Sequence, residues 1–180
     1  MRAYGLSGAH NQVVGESSDG QGQRSADVLR AQESLPDLLH AATREFVEVV
    51  DGVACAISRR VGEVLIQVAE HARDGRTLVL GHGHLISDFP LTQEVLDQDK
   101  AALCSLLEED CEPTEAELLR ELQLDSLLML PLSMPTGKWG LAEIYVNGRP
   151  FEDGDVAKAA PLARVFGEQL ERLPAPASRP

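Results

Sequence analysis

The chain has 180 residues, 43% of them hydrophobic, and its 29 acidic against 16 basic side chains give a formal net charge of −13. That length suits one domain with tails, and the negative field repels phosphate backbones and anionic lipid, which excludes nucleic-acid and membrane-surface binding as expected functions. No stretch approaches the roughly 20 apolar residues of a membrane span, and the N-terminus lacks the apolar core of a signal peptide, so a cytoplasmic protein is expected.

Residues 1–25 are rich in Gly, Ser and Gln without a periodic apolar face, and read as disordered. The Pro-rich tail 174–180 reads the same way. The folded domain is therefore expected over 26–173. From Ala26 to Val50 the pattern is helical. Leu35, Leu38, Leu39, Ala42, Phe46, Val49 and Val50 recur at spacings of three and four, Pro36 suits an early helical position, and Ser34 can cap.

Val53, Cys55 and Ile57 alternate with Ala54, Ala56 and Ser58, the period of a strand. Residues 59–63 form a turn, and 64–70 a second strand. Thr77 to Leu80 is expected as a short third strand, after an Asp74-Gly75 turn. Pro90 starts a helix to Gln98, and Ala101 to Leu107 is a strand or an extended run. Pro113 to Leu122 is a helix with Glu115 and Glu117 near its start. The acidic stretch from Glu94 to Glu121, with ten acids and two bases, reads as a solvated face.

The run "LLMLPL" is apolar on both faces, as in a covered central strand. After it, Trp139, Leu141, Glu143 and Tyr145 share one face of a strand, with Ala142, Ile144 and Val146 on the other. Asp153 or Asp155 can cap a last helix, whose stripe is Val156, Ala160, Ala163, Phe166, Leu170 and Leu173. Pro161 inside it predicts a kink or break. The whole is an α+β fold: a central antiparallel sheet of five to six strands, long N- and C-terminal helices on one face, and short helices and loops over a pocket on the other.

Three pieces carry a resemblance: "DFPLTQEVLDQ", "LLRELQLDSLLMLPL" and "WGLAEIYVNGRPFEDGD". In this order they resemble the pocket helices, central strand, closing strand and final helix of a GAF domain, of the type found in actinobacterial signalling proteins. The resemblance covers about Leu35 to Leu173. It implies a non-enzymatic cytoplasmic sensory or regulatory module that binds a small ligand, pairs as a homodimer through its terminal helices, and passes a signal to an output partner. Together with the strand faces it places the pocket at His82, His84, Asp88, Phe89, Leu107, Ser126, Met129, Glu143 and Tyr145. It names no cofactor and no catalytic residue.

Branches of the family are separable by residue. Cyclic-nucleotide binders carry an Asn-Lys pair and a Phe spaced from an Asp-Glu pair. Here Gly148 follows Asn147, and Val156 takes the place of the Glu after Asp155. Bilin binders need a pocket cysteine. Cys55 alternates with core residues, and neither Cys104 nor Cys111 is followed by His. The branch that reduces free methionine sulfoxide uses loop cysteines, but Cys104 and Cys111 sit in an acidic segment that raises a thiol's pKa, and they read as two ordinary thiols. Three cysteines without a CxxC pair argue against a disulfide framework or a zinc knuckle. His82 and His84, with Asp88 near, could hold a metal or a haem iron if the segment is extended, though the flanking Gly81 and Gly83 favour a turn. A ligand-free structural interaction domain, its pocket filled by the Leu and Met of 118–134, is the alternative from a different class.

Overall fold

The computed structural model describes residues 13–78, 81–109 and 111–174. In chain order they form α1 (Val13–Arg30), α2 (Leu35–Val49), β1 (Ala54–Val61), β2 (Val64–Ala72), β3 (Gly83–Leu85), α3 (Pro90–Gln98), β4 (Ala102–Ser105), α4 (Pro113–Leu122), β5 (Ser126–Met134), β6 (Gly137–Val146) and α5 (Asp153–Arg172). The six strands make one sheet in the order β3-β2-β1-β6-β5-β4, with every pairing antiparallel.

Local chemistry sets the helix ends. Ser34 accepts from the Asp37 amide at 3.3 Å, and Pro36 lies in the first turn of α2. Glu112 accepts from the Thr114 amide at 2.8 Å and starts α4. Asp99 and Gln123 take left-handed backbone angles to end α3 and α4. The residue that caps α5 is Glu152, not Asp153 or Asp155; Asp155 instead accepts from the Glu152 amide at 3.1 Å and pairs with Arg149 at 2.7 Å. Arg149 also donates to the Val50 carbonyl, tying the end of α2 to the start of α5.

The sheet separates two cores. On one face, α1, α2 and α5 pack through Leu29, Leu38, Phe46 and Phe166 against Cys55, Ile57, Leu128, Leu130 and Ile144. On the other, α3, α4 and their loops cover Ala54, Ala56, Leu127, Met129, Leu141 and Tyr145. The alternation of β6 is thus read as two buried faces, on which large aliphatic side chains such as Leu141 and Ile144 each stabilise by about 1.5–3 kcal/mol when fully removed from water.

Several expectations change. Helix α1 begins at Val13, inside the stretch expected to be disordered through residue 25, and Ala26 and Leu29 near its C-terminal end are buried. Residues 1–12 and 175–180 lie outside the described residues. No strand forms at 77–78; β3 lies instead at 83–85, pairing with β2, and residues 79 and 80 are outside the described set. Helix α5 runs unbroken through Pro161. Pro161 and Ala157, whose carbonyl loses its partner, both lie on the exposed side, where water can satisfy it.

Trp139 is on the helix face, edge-on to Phe166 at 5.4 Å, rather than beside Glu143. The cause is a bulge: Leu132 faces Gly140 and Ser133 faces Lys138, so Trp139 is the unpaired extra residue and the alternation resets there. Gly140 sits where the chain has no room for a side chain, since a Cβ would collide with the Ser58 carbonyl.

Candidate functional site

The pocket-side core is not uniformly apolar. Residues of β6 that point to this side include Glu143 and Tyr145, and neighbouring strands add Ser58 from β1 and Gln67 from β2. These four line a largely enclosed cavity of about 50 Å³, closed by Leu78, His82, His84 and Phe89 on one side and by Leu118 and Leu122 of α4 on the other. Larger grooves exist, including an open one of about 490 Å³ between α1 and α5 and one of about 390 Å³ whose buried carboxylate, Asp155, is already paired with Arg149.

Glu143 is 6% exposed. Burial holds its carboxyl up to about 7, against the pull of hydrogen bonds from Tyr145 and Ser58. The Tyr145 hydroxyl donates to Glu143 Oε1 at 3.4 Å, and burial with the nearby Glu143 charge pushes this phenol well above its usual range. Gln67 donates to Glu70 at 2.7 Å, and the same Glu70 oxygen accepts from the Leu78 amide, so the loop after β2 is drawn over the cavity.

His84 is half-buried on β3, its ring 4.5 Å from that of Phe89, and burial lowers its pKa, opposed by Asp88. His82 precedes it in an exposed loop next to Gly81, whose φ of 83° requires the left-handed region. Among the described residues no group of three or more His, Cys, Asp or Glu side chains is gathered in a way that could hold a metal ion.

Five of the sequence-predicted residues, His82, His84, Phe89, Glu143 and Tyr145, meet in the cavity wall. The other four do not line it. Ser126 is buried in a polar clasp, sharing a 2.7 Å hydrogen bond with Ser105 and donating to the Arg149 carbonyl. Met129 is buried under α3, its sulfur 3.8 Å from the Thr92 hydroxyl. Asp88 is exposed in a 3-10 turn, and Leu107 is 53% exposed on the loop after β4. Ser58, Gln67, Leu78, Leu118 and Leu122 are additional wall residues. Ser58 and Gln67 were legible only as polar interruptions on inward positions of otherwise apolar strands.

A second polar cluster stands at the α3–α4 junction. Glu115 is buried and accepts from the Thr92 amide at 3.2 Å, capping α3 from a neighbouring helix. Burial first, and then the hydrogen bond with Glu112, pushes Glu115 up to about 7, while the same contact lowers Glu112.

The thiols differ from expectation. Cys104 and Cys111 form a disulfide, with Cα atoms 4.7 Å apart, because the loop after β4 folds back on the strand. Spacing alone gave no sign of this, since a local reversal is a property of the folded loop. Cys55 is the free cysteine, buried on the helix side.

No protein-family model and no curated protein matches this sequence. Solved structures do. The chromophore-binding domain of a Stigmatella aurantiaca bacteriophytochrome in the Pr state matches at TM-score 0.77 and 17% identity, over 91% of this chain and 63% of that one. The chromophore-binding domain of an unusual bacteriophytochrome from R. palustris matches at TM-score 0.76 and 12% identity, over 92% and 63%. A far-red absorbing protein in its dark state, with bound biliverdin IXa, matches at TM-score 0.71 and 14% identity, over 84% and 98%. The fold is GAF-like. The chain spans under two thirds of the length of the two bacteriophytochrome domains. Among the described residues, no helix of this GAF-like chain is long and apolar enough to cross a membrane.

Proposed function

We propose that the chain is a non-enzymatic, cytoplasmic sensory or regulatory GAF module that takes a compact polar ligand in the Glu143 cavity. One observation carries this reading: a carboxyl group buried on a central strand, held near 7, with a tyrosine hydroxyl, a serine and a glutamine converging on the same enclosed space. A carboxyl so poised offers an acceptor to a neutral donor and a counter-charge to a cation, and ligand contact biases its proton. The likeness to bilin-holding proteins supports a sensor. The size of the space supports a ligand much smaller than a tetrapyrrole, since drug-sized ligands occupy about 300–1,000 Å³, and Cys55 faces the helices rather than the cavity.

Signal transfer would run through the terminal helices to an output partner, a ligand shifting the balance only by its differential affinity for two states. A homodimer would use the outer surfaces of α1 and α5, where Val28 is 39% exposed, because the stripes of α2 and α5 are filled by this chain's own sheet. The expected result in light scattering is twice the chain mass.

Calorimetric titration with compact amines, amidines and neutral amides at pH 7, in two buffers of different ionisation enthalpy, tests the ligand reading. A cationic binder is expected to release protons, and Glu143→Gln to weaken it about tenfold or more. The tightness of the cavity favours a second reading, a ligand-free interaction domain. Failure of every compound in the panel would support that reading.

A further inference from the structure

Helix α4 is a wall of the cavity, and its attachment is unequal at its two ends. At the C-terminal end the Arg76 guanidinium donates to the Leu122 carbonyl at 2.7 Å and also reaches the Gln123 carbonyl. At the N-terminal end Cys111 immediately precedes the capping residue Glu112 and is joined to Cys104 in the edge strand β4. Three residues on, Glu115 holds the Thr92 amide of α3. One covalent bond therefore fixes the point from which both α4, carrying Leu118 and Leu122, and the α3 contact are registered against the sheet.

The two sulfurs are not equally reachable. Cys104 is 4% exposed and packs in the pocket-side core, whereas Cys111 is only partly buried. We propose that the Cys104–Cys111 pair is a thiol-exchange site whose oxidation state sets access to the Glu143 cavity; the consequence for ligand rests on the small-ligand reading above, but the exchange itself does not. A dithiol reductant is the co-reactant. Its thiolate attacks Cys111 Sγ, the bond between the two cysteines breaks, and Cys104 departs as thiolate and takes up a proton. The second thiol of the reductant, deprotonated to thiolate, then displaces Cys111 from the mixed disulfide, leaving Cys111 as a thiol after protonation. Two electrons and two protons pass to the protein, and the reductant becomes a cyclic disulfide. Reduction releases the start of α4 from β4. Oxidation by a small disulfide reverses the sequence. In a reducing compartment such a bond acts as a sensor rather than a staple.

The test is hydrogen exchange of the full chain before and after dithiothreitol, with intact mass recorded without reductant. Expected are a mass gain of two hydrogens on reduction and at least tenfold faster exchange across α4, with β5 and α5 unchanged. The Cys104→Ser/Cys111→Ser variant should match reduced protein and ignore dithiothreitol, whereas Cys55→Ala should still respond. Unchanged α4 exchange on reduction, or thiols that stay free after treatment with a small disulfide, would overturn the proposal. The compound panel is repeated on both redox forms. A change in α4 exchange without binding in either form supports the exchange site and sinks the ligand reading; binding of equal rate and affinity in both forms sinks the proposed gating alone.

Discussion

The two faces of this sheet solve different problems with the same strands. The helix face of the sheet is filled by aliphatic and aromatic side chains, from Leu29 and Phe46 to Phe166, and the polar groups buried on that side, Ser25, Thr43, Asp155 and Gln169, belong to the helices and not to the strands. The pocket face has a comparable apolar framework but also buries Ser58, Gln67, Thr92, Glu115 and Glu143. Adjacent residues on β6 divide between these regimes: Ile144 serves the first, and Glu143 and Tyr145 the second. A charge-capable side chain is costly to bury, so its placement at the middle of a central strand marks the face on which stability was conceded.

The comparison breaks most visibly at Phe166. Truncation to Ala removes a fully buried ring and its edge contact with Trp139, and about 3–5 kcal/mol of unfolding free energy should be lost in urea titration, with cavity groups little altered. A loss below 1 kcal/mol would mean that the helix face is not the main store of stability.

Glu143 gives an opposite sign. Its carboxyl is held at about 7 rather than 4.5, so between those values the native state retains a proton that the unfolded chain has released, and stability falls as pH rises through that window. Glu143→Gln should flatten that fall and, at pH 8, raise stability by up to about 3 kcal/mol relative to the parent. Glu115 titrates upward for a related reason and should leave a residual slope. Urea midpoints at pH 5 and pH 8 decide it; parallel pH curves for parent and variant would remove Glu143 as the titrating group.

A smaller effect is expected where both faces meet the chain ends. Arg149→Ala loses the Asp155 pair and the Val50 carbonyl contact, costing about 1–2 kcal/mol because the guanidinium is partly solvated. Smallest is Arg73→Ala. Its bonds to Asp51 and Glu48 lie in water, and the melting temperature should move by a degree or two at most.

Much of this organisation was legible in the chain. The helical spacing of Leu38, Leu39, Ala42 and Phe46, the prolines that open α3 and α4, and the two-residue period of "LAEIYV" follow from local geometry. So does the placement of Glu143 and Tyr145 on one side. What escaped depends on a partner. The bulge that turns Trp139 toward the helices exists only against β5, and β3 is defined by its pairing with β2 rather than by its own Gly-rich residues. Ser58 and Gln67 come near Glu143 only once β1 pairs with β6 and β2 pairs with β1. Helix α1 has too few apolar residues to declare itself, and the Cys104–Cys111 bond is a meeting made by the loop.

The sheet also ends abruptly at both margins: β3 has three residues and β4 has four. A neighbouring chain seeking to add a strand finds only a few unpaired amides at either rim, too short a ladder to hold register. On the β4 side, the backbone beyond Ser105 turns away into the cysteine loop and four of the chain's carboxylates follow within seven residues. At high concentration, and during synthesis on crowded ribosomes, that truncated and negatively charged rim protects against edge-to-edge fibre growth.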